Sequence, residues 1–152
     1  MENHETPEAI KARAEQADPL VMYLIVREEL EMSIGKACAQ CAHASQMITL
    51  KYLPLYIKYF EKDIENSGWI DKSSYESYLS FVEWLAGSFR KVVLKSDEKE
   101  WVKIKNELPN NSIIVVDAGL TELQPNTETV IGLWPMKRSE RPKIIKKLQV
   151  LT

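Results

Sequence analysis

Two polar stretches, each following an apolar run, hold the side chains best equipped for chemistry. The first, residues 33–44, carries Lys36, Gln40 and His43 behind the apolar run 21–26. The second starts at Asp117, directly after the apolar run 113–116, and continues through Gly119, Thr121, Thr127 and Thr129. An aspartate at a strand end is expensive to bury unpaired, so it must meet a cation, backbone N–H groups or water. If both stretches leave the sheet at one end, Lys36 is its natural counter-ion. A Lys/Asp pair flanked by hydroxyls can orient a water and stabilise an oxyanion, the minimum equipment for hydrolysing an activated ester. The structural alternative is an aspartate that caps a tight turn at Gly119, with the threonines there for strand propensity, since paired charges at loop ends also occur without catalysis. His43 follows Lys36 by two helical turns, about 10 Å along the axis, which suits a structural histidine better than a base acting beside Lys36. The sequence has no zinc-ligand spacing, no glycine-rich phosphate loop and no serine nucleophile elbow.

The elements that must position these residues follow from periodicity. Residues 21–26 are continuously β-branched, aliphatic or aromatic, as in a strand covered on both faces. Small residues at 37, 38, 41, 42 and 44 let the next segment pack closely as a helix, with Lys36 in its first turn. Helix N-termini beyond strand ends are where open α/β sheets bind ligands. Apolar positions Leu50, Leu53, Ile57, Phe60 and Ile64 predict a further helix over 51–67, broken or kinked near Pro54 and ended by Gly68. Ser73 and Glu76 form a predicted capping box for a helix with Tyr75, Tyr78, Val82 and Leu85 inward, ended by Gly87. Strands are predicted at 90–95, 112–117 and from 127 or 128 to 133, with a helix capped by Ser96 between the first two. Ser139 is expected to cap a short basic helix, and 148–151 to return to a sheet edge. The alternation implies an α/β fold: a three-layer α/β/α sandwich around a small, mostly four-stranded mixed sheet. Residues 1–18 read as an arm with a short helix opened by Thr6 and Pro7, 19–152 as one domain, and about 51–87 as a helical insertion within it.

With 152 residues and a net charge of −2, total charge announces no polyanion partner. The C-terminal end nevertheless gathers Lys137, Arg138, Arg141, Lys143, Lys146 and Lys147, which suits either phosphate contact or a solvated helix face. No apolar stretch approaches the roughly 20 residues needed to span a bilayer, and no apolar signal core begins the chain, so a cytoplasmic protein is expected. Cys38 and Cys41 form a C-x-x-C, but inside a helix and flanked by alanine, which reads as two buried thiols rather than a redox pair.

Together, Gly35-Lys36-x-x-x-Gln40-Cys41-x-His43-Ala44 and Asp117-Ala118-Gly119-Leu120-Thr121-Glu122, with Pro125, Thr127 and Thr129-Val130, resemble the archaeal and eukaryotic type of peptidyl-tRNA hydrolase. The resemblance covers about 21–44 and 91–151, in the same order. It implies a three-layer domain, usually a homodimer, that hydrolyses the ester between a peptide and the terminal ribose of tRNA with no metal or other cofactor. The family's proposed active residues fall on Lys36, Asp117, Thr121 and Thr129. Arg27, Gln40, His43, Gly119, Thr127, Lys137, Arg138 and Arg141 are then expected around the substrate, the basic ones on phosphates if they line the same end of the sheet. The chain departs from the family's pattern at Glu31 and Ile34, where lysines are common, and at Asn126 and Trp134, where glycines are usual. Those departures keep two alternatives open: a non-catalytic module binding protein through the inserted helices, and an esterase for a smaller acyl substrate.

Overall fold

The computed structural model describes Thr6 and residues 17–60, 72–87 and 89–152. Its centre is β1 (Leu20–Arg27), whose residues 21–26 are all buried. The topology gives the reason. β1 is the middle strand of a six-stranded sheet ordered β3-β4-β1-β2-β6, with β2 (Lys91–Ser96), β3 (Ser112–Asp117), β4 (Thr127–Leu133) and β6 (Gln149–Val150); the short β5 (Met136–Lys137) also pairs with β1. β1 and β2 are parallel, whereas β4 runs antiparallel to both β1 and β3. The C-terminal ends of β1 and β3 therefore point the same way.

Strand alternation divides the β1 side chains between two cores. Met22, Leu24 and Val26 pack with Cys41, Ala44, Ile48, Tyr52, Phe81 and Trp84 from α1 (Ile34–Phe60) and α2 (Lys72–Ala86). Val21, Tyr23 and Ile25 pack on the opposite face with Trp101 and Ile104 of α3 (Glu98–Glu107) and Ile144 and Ile145 of α4 (Lys143–Lys147). Each fully buried side chain of this size contributes about 1.5–3 kcal/mol relative to exposure, so β1 anchors both outer layers. α1 lies close on the sheet because Gly132 makes room: a Cβ there would stand 3.0 Å from Ile48 Cδ1 and 3.3 Å from the Ala44 Cβ.

The three-layer α/β/α expectation matches this architecture, although the sheet has six strands rather than about four. The expected return of 148–151 to a sheet edge is β6, paired with β2, and the two-residue β5 is the strand the sequence does not signal. Several local expectations change. α1 continues past Pro54 to Phe60, so residues 51–60 extend the first helix instead of opening a second. α2 already begins at Lys72, which puts Ser73 inside its first turn rather than at its cap. Its buried face consists of Tyr78, Phe81 and Trp84, with Val82 and Leu85 only partly covered. Asp97, not Ser96, caps α3, in a reciprocal capping box with Glu100. Ser139 is tied instead to Asp18, whose two carboxylate oxygens accept its N–H at 2.8 Å and its hydroxyl at 2.6 Å. Cys38 is exposed, contrary to expectation, while Cys41 is buried and burial pushes its thiol up to about 11. The short helix expected after Thr6, the side chain of Tyr75 and the helix end at Gly68 lie outside the described residues. No helix among the described residues is long and apolar enough to cross a membrane.

Candidate active site

Ser33, just ahead of α1, sets the position of Lys36: its carbonyl accepts the Ala37 N–H at 2.9 Å and its hydroxyl accepts the Lys36 N–H at 3.3 Å. From there the helix buries Ala37, Cys41 and Ala44 on the sheet. Lys36, Gln40 and His43, at steps of four and three, line a cleft of about 600 Å³ together with the loop that follows β3. Asp117, the last residue of β3, enters that cleft while remaining buried.

Asp117 is held on both oxygens. Oδ2 pairs with the Lys36 ammonium and accepts the Gln40 side-chain N–H at 2.7 Å, while Oδ1 accepts the Gly119 backbone N–H at 2.8 Å. The Lys36 ammonium first, and then the Gly119 N–H, hold the carboxyl below its ordinary range against the opposing effect of burial. Of about four acceptor positions on a carboxylate, three are used, and the open one is on Oδ1. The Lys36 Nζ also donates to Thr121 Oγ1 at 3.0 Å, leaving one of its three hydrogens for a further acceptor. Behind Gln40, the Thr129 hydroxyl lies 2.8 Å from Gln40 Oε1 and 3.2 Å from the Val115 carbonyl. Thr129, one of the four residues the resemblance puts at the site, is 0% exposed and reaches the cleft only through Gln40.

The loop that carries Gly119 and Thr121 depends on two left-handed residues. Gly119 has φ +75°, and Pro125 lies so close that a Cβ at 119 would meet its backbone N at 2.5 Å. Asn126 has φ 66° and donates its N–H to the Asp117 carbonyl at 2.8 Å. Asparagine tolerates this region nearly as readily as glycine, so the departure at 126 preserves the turn. Glu122 ties the loop back to the helix, accepting the Ser33 hydroxyl at 2.7 Å and the Ser33 N–H at 3.2 Å.

A family model described as Peptidyl-tRNA hydrolase PTH2 matches residues 20–151. The chain belongs to that family. Its relatives include proteins named peptidyl-tRNA hydrolase from Methanopyrus kandleri, 33% identical with 84% of this chain and 95% of the relative covered, and from Thermoplasma acidophilum, 31% identical with 86% and 97% covered. A third, from Staphylothermus marinus, is 32% identical, with 84% and 92% covered.

Within this PTH2 chain, the structure brings Lys36, Gln40, His43, Asp117, Gly119 and Thr121 to one cleft. Thr127 closes the far side of the loop, where its hydroxyl donates to the Gln124 carbonyl at 2.7 Å. Arg27 reaches the same end of the sheet but the opposite face, bonded to Glu29 and Glu98 at 2.8 Å and lying 5.7 Å from the Trp101 ring centroid. Lys137, Arg138 and Arg141 do not share the site's end. Lys137 stands opposite Leu20 at the start of β1, the Arg138 N–H donates to the Pro19 carbonyl, and the Arg141 guanidinium lies over Tyr23. About six residues of strand, roughly 20 Å, separate that end from the Asp117 end. Trp134 is equally remote: it is buried against Tyr52, its indole N–H donating to the Asn110 carbonyl at 3.2 Å. Glu31 and Ile34 are both exposed and flank Ser33, which lines the cleft. The sequence reading missed the Ser33–Glu122 latch. Ser33 was legible as a helix-starting residue, but nothing local links it to a glutamate 89 positions later. Among the described residues, no three His, Cys, Asp or Glu side chains cluster as a metal site requires.

Proposed function

We propose that this chain hydrolyses the ester joining a peptide to the terminal ribose of tRNA at the Lys36–Asp117 pair. The observation that carries the reading is the incomplete coordination of that pair: one acceptor position on Asp117 and one donor on Lys36 remain, and both residues line one open cleft. Asp117 Oδ1 orients the attacking water. Because its carboxyl is held low, it acts mainly by aiming the water, and takes its proton only as the bond to the ester carbon forms. The remaining Lys36 N–H and the Thr121 hydroxyl meet the oxyanion that develops on the carbonyl oxygen. The tetrahedral intermediate then collapses, the ribose oxygen leaves with the proton, and the peptide departs as a carboxylate. Gln40 and Thr129 act as positioning residues, fixing the plane of the Asp117 carboxylate, and His43 contacts the substrate farther along the cleft. The family resemblance further leads us to infer a homodimer working in the cytoplasm, where peptidyl-tRNA arises.

Single-turnover release of an N-blocked aminoacyl group from charged tRNA tests the assignment. Release by the wild-type chain that disappears in Asp117→Ala, with the variant still folded, is the expected result. Undiminished release by that variant would overturn it.

A further inference from the structure

The acidic margin of the cleft poses a problem for a polyanionic substrate. Glu122 lines the cleft and is exposed, Glu31 is exposed two residues before the lining Ser33, Lys36 is bound to Asp117 and Thr121, and Arg27 is matched by two glutamates. Attraction for phosphates must come from another surface, and the α3/α4 face provides one. We propose that the groove between α3 and α4 binds the sugar-phosphate backbone of the tRNA body, an inference that rests on tRNA being the substrate.

The groove, about 400 Å³, is lined by Lys99 and Lys103 of α3 and by Lys143 and Lys147 of α4, with Glu100 and Glu107 as its acidic members. All four lysines are exposed. Each helix thus presents two lysines four positions apart on one face, and the two pairs border the same hollow. Like charges at this spacing repel, and Lys99 also occupies the first turn of α3, the positive end of the helix dipole. Neighbouring carboxylates give little relief. Glu100 accepts the Asp97 N–H in the capping box, and Glu107 reaches Lys103 at 3.6 Å, the only ion pair these four lysines make among the described residues. An arrangement unfavourable in the free protein becomes favourable against a repeating anion. The lysines of each pair lie about 5–6 Å apart at their Cβ atoms, a step that suits neighbouring phosphates on one strand.

The groove also opens towards the correct end of the sheet. α3 begins just after Ser96, which stands opposite Arg27 at the site end of β1, and Lys147 directly precedes the turn into β6, whose Gln149 stands opposite Lys95. Four strand steps, about 19 Å, separate β3, which ends in Asp117, from β6, and the groove lies on the other face of this sheet end from the cleft, so an RNA helix crossing the end of the sheet can reach both places. The other basic group is engaged with its own protein: Arg141 donates to the Arg138 carbonyl, and Lys146 donates to the Ser139 carbonyl.

The test is the affinity of the full chain for deacylated tRNA across a salt series, comparing wild type with Lys99→Ala/Lys103→Ala/Lys143→Ala/Lys147→Ala and with a Lys137→Ala/Arg138→Ala control. The fourfold variant should bind at least tenfold more weakly at low salt, and its slope of log affinity against log salt should fall by about 3, at roughly 0.7–0.9 per lost phosphate contact. Its hydrolysis of an N-blocked aminoacyl-adenosine, which lacks the tRNA body, should match wild type. Unchanged affinity and slope, or an equal loss in the control, would overturn the groove. Failure of the wild-type chain to cleave the short ester would overturn the hydrolytic reading while leaving the tRNA affinities to decide the groove.

Discussion

Substituting Gly119 by alanine tests whether the loop after β3 has one workable shape. The residue sits at φ +75°, where an L side chain costs roughly 1–2 kcal/mol, and the added methyl would lie 2.5–2.6 Å from the N, Cδ and Cγ of Pro125. Restoring ordinary contact requires the 119 and 125 backbones to part by about 1 Å, and overlap of this kind typically costs a further 1–3 kcal/mol. A loss of about 2–5 kcal/mol corresponds to a fall in Tm of roughly 5–15 °C for a chain of this size. The catalytic consequence is more specific. The Gly119 N–H is the one partner of Asp117 Oδ1, the oxygen that aims the water, and Thr121 two residues on receives Lys36. A displacement of about 1 Å at such a centre costs up to about a hundredfold in rate, so kcat should fall 10- to 100-fold with a smaller change in KM. Displacing the residue 119 N–H from the carboxylate it favours should also raise the Asp117 pKa, moving the acid limb of the pH profile upward. The assay is release of an N-blocked aminoacyl group from tRNA between pH 3 and 7, beside a thermal melt. Wild-type kcat and Tm in Gly119→Ala would show that the loop holds Asp117 by some other means and would refute the reasoning.

Further perturbations bear on the same site. The Asp117 pKa is depressed, so the stabilisation it brings is present above the ordinary carboxylate value of about 3.9 and is lost as pH falls through the lower folded value. The acid limb of wild-type activity should therefore lie below about pH 4, and a limb well above that value would contradict the assignment to Asp117. In Lys36→Met the leading cause of the depression is gone while burial still opposes ionisation, so an NMR titration of the Asp117 carboxyl should move upward; an unmoved titration would contradict the pairing. Gln40→Leu keeps the volume but removes the bonds to Asp117 and Thr129, and should lower stability by about 2–3 kcal/mol in a denaturant titration and reduce kcat by at least tenfold. The Thr129 hydroxyl can turn to the Val115 carbonyl, so Thr129→Val in the same background should add little, and a large additional loss would give Thr129 a separate role. Glu122→Ala and Ser33→Ala each release the latch between loop and helix, and kcat losses of about three- to tenfold should fail to add in the double variant; full additivity would separate the two residues.

How much of this was legible depended on how local the determining physics is. β1 was readable because a central strand buried on both faces must be apolar at every position, and residues 21–26 are. The strand ending in Asp117 was readable because a carboxylate after an apolar run demands partners. Caps were harder: Ser96 and Asp97 are both acceptable, and only the Glu100 carboxylate folding back on the Asp97 N–H decides between them. The return of 148–151 to the sheet edge was readable, but the short β5 exists because the start of β1 offers it a free edge, which its own two residues do not encode.

The two departures from the family pattern show what spacing alone cannot weigh. Asn126 and Trp134 look alike in sequence, each replacing a glycine near the second motif. In space they have nothing in common. Asn126 occupies a left-handed turn that supports Asp117 through a backbone bond, and asparagine meets that requirement. Trp134 lies beyond the far end of β4, where its ring fills a core against Tyr52, which in turn stacks on Phe81. Neither touches the ammonium, the carboxylate or the cleft they line. The changes nearest the cleft, Glu31 and Ile34, flank Ser33 and leave the Lys36–Asp117–Gln40 bonding in place. They shift the work of attracting a polyanion to the lysines of α3 and α4, which lie on the other face of the same sheet end. Chemistry and electrostatic capture are thus separable in this chain, and substitutions in the groove should change affinity for tRNA without changing the rate at which a short ester is cleaved.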